Sequence, residues 1–125
     1  MLFRSSDIFI PRRIEDRVER LIKQYIRNGS NGDLNLRQMK LIKLPEILKN
    51  VTIGKDFWCT DNKLISLENS PEYVPGNFGC SHNLLKTLEG APKFVGGNFY
   101  CRGNLVIFTE EEVRAVCDVK EMVYV

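Results

Sequence analysis

Apolar residues recur along this chain with two different periods. Between residues 12 and 27 they fall at Ile14, Val18, Leu21, Ile22, Tyr25 and Ile26. Steps of four, three and one draw a single stripe along a helix. From residue 34 the step becomes two, as in Phe57 and Cys59, Phe78 and Cys80, and Phe99 and Cys101. Side chains two apart on a strand point the same way, so each Phe and Cys share the inner face. The strands themselves recur. Phe57, Phe78 and Phe99 are 21 apart, as are Cys59, Cys80 and Cys101, and Asn62, Asn83 and Asn104. Leu67 and Leu88, Pro71 and Pro92, and Val74 and Val95 keep the step.

A fixed period of this length is the signature of a solenoid. One such strand cannot pair its own backbone or bury its own apolar side, but stacked copies do both in a parallel sheet. The pattern predicts an α/β solenoid of about four coils in one domain over residues 1–125. Residues 1–31 form an N-terminal arm and capping helix, 32–108 the coils, and 109–125 a C-terminal cap. The first coil is degenerate. Lys40-Leu41-Ile42-Lys43-Leu44 matches Lys63-Leu64-Ile65-Ser66-Leu67 at a step of 23, and Met39 stands where later coils have Asn. Pro45 to Leu48 reads as a helical turn. Gly54, Gly76 and Gly97 open the later coils, where glycine suits a sharp turn into the strand.

The ends carry their own signals. Residues 1–10, with Phe3, Ile8 and Ile10, read as a short strand or a packed arm. Pro11 fits a first helical turn, and Asn28-Gly29 a helix C-cap. The helix between them reads as a lid over the open end of the core, with Arg13, Asp16, Arg17, Arg20 and Lys23 on its solvated side. After Phe108 the period stops. Thr109 and Glu112 have capping-box spacing. Val113, Val116 and Cys117 are expected to face inward from a short helix, and Met122 to Val125 to form a closing strand.

The unit F-x-C-x-x-N-x-L-x-x-L resembles the leucine-rich repeat core L-x-L-x-x-N-x-L, with Phe and Cys in two leucine positions. The likeness spans residues 34–108. It implies a leucine-rich-repeat-like parallel sheet whose Asn62, Asn83 and Asn104 turn inward to bond backbone groups of their own and the neighbouring coil. It also implies that the outward sheet face is concave and meets the ligand. The longer unit, which adds E-x-x-P-x-x-V-x-G, is similar to repeats of uncharacterised tailed-phage proteins. That likeness implies a phage product in the host cytoplasm that binds and modulates or inhibits a host protein, such as a defence factor.

Charge narrows the partner class. The net charge of +2 hides a gradient, with +3 over residues 1–31, +2 over 32–108 and −3 over 109–125. This is not the clustered charge of a dedicated nucleic-acid binder. No apolar run is long enough to span a membrane. Met1 to Arg13 lacks the apolar core of a signal peptide, so the four cysteines read as cytoplasmic thiols.

Candidate chemistry concentrates on the outward face. The first outward column holds Asn35, Trp58, Gly79 and Tyr100, and the next Arg37, Thr60, Ser81 and Arg102. Beside them run Gln38, Asp61, His82 and Gly103. Trp, Tyr and Arg are the side chains most enriched at binding hot spots. The expected partner-binding set is Trp58, Tyr100, Arg102, His82, Gly79, Arg37, Gln38, Ser81 and Asp61. Two strand spacings, ~9.6 Å, separate Trp58 from Tyr100. With Gly79 between them, the spacing predicts an open slot for one partner side chain. Asn62, Asn83, Asn104, Cys59, Cys80 and Cys101 read as structural ladders. Three stacked thiols and one His of opposite parity do not make a tetrahedral zinc site, nor does His82 have a group to orient it as a base. No metal, cofactor or catalytic residue is expected. The alternative to protein binding is a nucleic-acid binder that uses the basic helix 12–27, Arg37 and Arg102 on phosphates and stacks bases on Trp58 and Tyr100.

Overall fold

The computed structural model describes residues 14–125. The expected N-terminal strand or arm and the turn at Pro11 lie outside them. The chain forms helix α1 (Ile14–Arg27), strand β1 (Leu34–Asn35) and a 3-10 turn (Glu46–Asn50). Strands β2 (Phe57–Trp58), β3 (Tyr73–Val74), β4 (Phe78–Gly79), β5 (Phe94–Val95) and β6 (Phe99–Tyr100) follow. Helix α2 (Glu110–Val116) leads into β7 (Asp118–Val119) and β8 (Val123–Tyr124). Among the described residues no helix is long and apolar enough to cross a membrane.

The result is an α/β fold with two parallel sheets, one of five strands in the order β1-β2-β4-β6-β8 and one of three in the order β3-β5-β7. Phe57 pairs with Phe78 and Phe78 with Phe99, so the 21-residue period is the register of the larger sheet. The strands are short because the chain bends at each end, yet they bond regularly. Phe57 N–H donates to the Asn77 carbonyl at 2.9 Å and Cys59 N–H to the Gly79 carbonyl at 2.8 Å. Between the sheets lies one core, which includes Phe57, Phe78, Phe99, Leu64, Leu85, Val74, Val95 and the Cys column.

The 21-residue period stops at Phe108, but the strand pairing does not. β8 pairs in parallel with β6, Phe99 against Val123, and β7 with β5, Phe94 against Asp118. The step has lengthened to make room for α2. Segment 109–125 therefore extends both sheets. Thr109 Oγ1 accepts from Glu112 N–H at 3.1 Å, and Glu112 Oε1 from Thr109 N–H at 3.0 Å, so the capping box is present. Val113 and Cys117 are buried, but Val116 is exposed, contrary to the expected inward stripe. Arg114 ties α2 to the closing strands by donating to the carbonyls of Val119 at 2.6 Å and Glu121 at 2.7 Å.

Helix α1 buries Val18 and Ile22 and packs Ile14, Leu21 and Tyr25 on the core, while Ile26 stays exposed. It ends in a Schellman motif. Ser30 N–H reaches the Tyr25 carbonyl and Gly29 N–H the Ile26 carbonyl, with Gly29 at φ 95°. The chain bends at Gly54, Gly76 and Gly97 before each strand, as expected, but none of the three is left-handed. They also allow close approach. A Cβ at Gly54 would stand 2.5 Å from the Ser30 carbonyl oxygen, and one at Gly97 2.5 Å from Asn77 Oδ1.

Candidate functional site

The outward face of the five-stranded sheet gathers the side chains that inward packing leaves over. Trp58, Gly79, Tyr100 and Tyr124 occupy the second position of β2, β4, β6 and β8, after the buried Phe57, Phe78, Phe99 and Val123. Trp58 and Tyr100 have ring centroids 5.7 Å apart at 42°, and Tyr100 stacks on Tyr124 at 4.8 Å and 7°. The Arg37 guanidinium carbon lies 4.4 Å from the Trp58 ring centroid, and that of Arg102 5.5 Å from the Tyr124 centroid. Together they make a half-buried aromatic ladder with a cation stacked on each end ring.

The slot expected between Trp58 and Tyr100 is closed. Gly79 leaves space, but the Trp58 indole fills it. A Cβ at Gly79 would collide with Trp58 Cε3 and stand 2.6 Å from Cζ3. Large apolar rings gain more by covering the bare backbone of Gly79 and meeting Tyr100 than by holding a gap open to water.

Arg37, Thr60, Ser81 and Arg102 follow the same face one step beyond the inward residues. Asn35 Oδ1 accepts from Arg37 N–H at 2.9 Å and fixes the chain where the arginine leaves it. Gln38, Asp61, His82 and Gly103 lie past the strand ends. All four are left-handed, at φ 54°, 58°, 55° and 71°. That backbone turns the chain back so that the next residue faces inward. Asp61 and His82 are therefore rim residues. The exposed His82 ring sits against Gly103, where a Cβ would clash with it.

The inward residues after this turn carry the polar ladder. The Asn62 carboxamide accepts from Met39 and Leu41 N–H, each at 3.0 Å, and donates to the carbonyls of Leu36 and Cys59. Asn83 accepts from Leu64 N–H at 3.0 Å and donates to Cys59 and Cys80. Asn104 accepts from Leu85 N–H at 3.1 Å and donates to Cys80 and Cys101.

The cysteines are free and buried, and Cys59 and Cys80 donate S–H to the carbonyls of Gly79 and Tyr100. Loss of water around them raises their pKa, to about 12 at Cys59, about 11 at Cys101 and about 12 at Cys117, and well up at Cys80. Such thiols are poor nucleophiles. Cys80 is sealed inside while His82 faces water, so they do not pair. Among the described residues no group of three His, Cys, Asp or Glu could hold a metal ion.

Three features escaped the sequence reading. Tyr124 extends the ladder, and its signal was present, because Val123-Tyr124 repeats the apolar-Tyr order of Phe99-Tyr100. A second polar ladder runs just before the strands. Asp33 Oδ1 accepts from Asp56 N–H, Asp56 from Asn77 N–H, Asn77 from Asn98 N–H and Asn98 from Met122 N–H, at 2.7–2.9 Å. These residues share one phase, directly before Leu34, Phe57, Phe78 and Phe99. On the three-stranded sheet, Tyr73 stacks on Phe94 at 4.6 Å and 5°. The chain matches no family model, no curated protein and no solved structure.

Proposed function

We propose that this chain is a non-enzymatic protein-binding module, built as a short solenoid of leucine-rich-repeat type, that works through the outward face of its five-stranded sheet. One observation carries the reading. The chain's only tryptophan, two tyrosines and two arginines form a ladder on that face. Clusters of these side chains mark interaction sites. The resemblance to phage repeats makes a host protein the proposed partner, and four free thiols suit a reducing cytoplasm.

The nucleic-acid alternative requires a free ring face for each stacked base. Arg37 lies over Trp58 and Tyr124 stacks on Tyr100, so one face of each ring is already occupied, which favours the protein-binding reading. The test is co-purification from bacterial lysate at two salt concentrations, with wild type beside a folded Trp58→Ala, Tyr100→Ala double variant. A stoichiometric protein kept at high salt and lost with the double variant is the expected result. Nucleic acid that elutes with salt, or a protein that the double variant retains, overturns the reading.

A further inference from the structure

With Arg37 over Trp58 and Tyr124 stacked on Tyr100, one face of each ring is covered, and the ladder also offers a ligand its ring edges. Aromatic edges carry the positive side of the ring quadrupole. Around them stand the hydroxyls of Thr60 and Ser81 and the forks of Arg37 and Arg102. Among the described residues neither guanidinium takes part in an ion pair or side-chain hydrogen bond. No carboxylate stands in either outward column. The face, with Asp61 at its rim, presents hydroxyls and two cations that are unpaired among the described residues and lie on rings, which suits acceptors and negative charge.

The spacing adds a dimension. Arg37 and Arg102 leave the backbone after β1 and β6, and their forks lie on the rings of Trp58 on β2 and Tyr124 on β8; both pairs are three strand intervals apart, or ~14 Å at 4.8 Å per strand. An extended peptide rises ~3.4 Å per residue, so side chains four apart span that distance and share one side.

We propose that the partner segment is an extended acidic peptide that crosses the strands and presents two carboxylates four residues apart, one to Arg37 and one to Arg102. Its middle side chain lies on the ring edges of Trp58 and Tyr100. This inference rests on the protein-binding reading and names the chemistry of that partner.

The test pans a random 12-residue peptide library on the immobilised full chain. Synthetic copies of the selected peptides are then titrated through the fluorescence of Trp58, which is the only tryptophan. Expected are peptides enriched in Asp or Glu four apart around an apolar residue. Arg37→Gln or Arg102→Gln should weaken them about tenfold or more each, with an unchanged urea midpoint as the folding control, because a charge-assisted fork is lost. Arg37→Lys should fall between, because it keeps the charge and loses the fork. Peptides without acidic pairs, bound equally by both Gln variants and lost with Tyr100→Ala, would overturn the acidic-pair inference and leave the protein-binding reading standing. No selectable peptide, together with Trp58 quenching by a single-stranded oligonucleotide, would overturn both.

Discussion

Trp58 lies across Gly79, and the two residues are next to each other in register on β2 and β4. The largest side chain of the face sits where the neighbouring strand has none. That pairing brings Trp58 to 5.7 Å from Tyr100, although a strand lies between them. Gly79→Ala must push the indole aside. The expected outcome is a red-shifted tryptophan emission, with a stability loss of about 1 kcal/mol from overpacking at a site that can yield. Unchanged emission would mean that the ring does not rest on Gly79.

Asn83 and Asn77, one rung from each polar ladder, differ in burial. Asn83 is 4 % exposed and serves Leu64 N–H and the carbonyls of Cys59, Cys80 and Ser81. Asn77 is half-buried, and its side chain accepts from Asn98 N–H. Each buried group left unpaired costs ~1–3 kcal/mol. Asn83→Ala should therefore lower stability by about 3 kcal/mol or more, and Asn77→Ala by about 1 kcal/mol. Urea midpoints at constant slope would check the order, and equal losses would contradict it.

The thiols set an alkaline limit. In the unfolded chain a Cys ionises near its ordinary 9.0, whereas Cys59 and Cys117 are held up at about 12 and Cys101 at about 11. Their folded-state pKa is raised, so the stability they protect is complete below pH 9 and falls as pH rises from 9 towards 12. Stability should drop over that window, less steeply in a Cys59→Ala, Cys117→Ala variant after correction for its lower baseline. A thiol reagent at pH 8 should label the native protein slowly and the unfolded protein at once. Rapid native labelling would contradict the burial.

Helix α2 has seven residues, too few to persist alone. Arg114 holds it to the carbonyls of Val119 and Glu121, while its ion pair with Glu110 is solvent-exposed. Arg114→Ala is expected to cost about 1 kcal/mol through the part-buried carbonyl it abandons, and Glu110→Ala at most about 0.5 kcal/mol. Thermal unfolding of the two variants would separate these roles, and a Glu110 effect as large as that of Arg114 would reverse them.

Much of this was legible in the residues because the repeat is its own alignment. Phe57, Phe78 and Phe99 announce the strands, and the 21-residue step is the register that pairs them. Thr109 and Glu112 announce α2 by a contact that needs only local chain. Val123-Tyr124 was harder to read. Its distance from Phe99-Tyr100 is 24 rather than 21, since α2 is accommodated inside that step. Asp56, Asn77 and Asn98 kept perfect phase, but their backbone bonds need the neighbouring strand before they mean anything.

The sequence by itself determined the parallel pairing, the inward columns and the set of side chains on the open face, because parity and period are properties of the chain. Only the tertiary structure decided how those outward side chains lie. Parity says that Trp58, Tyr100 and Tyr124 point outward, but not which way each ring leans. That choice depends on Gly79, Arg37 and the neighbouring rings together, and it turned an expected slot into a closed ladder with a cation stacked at each end.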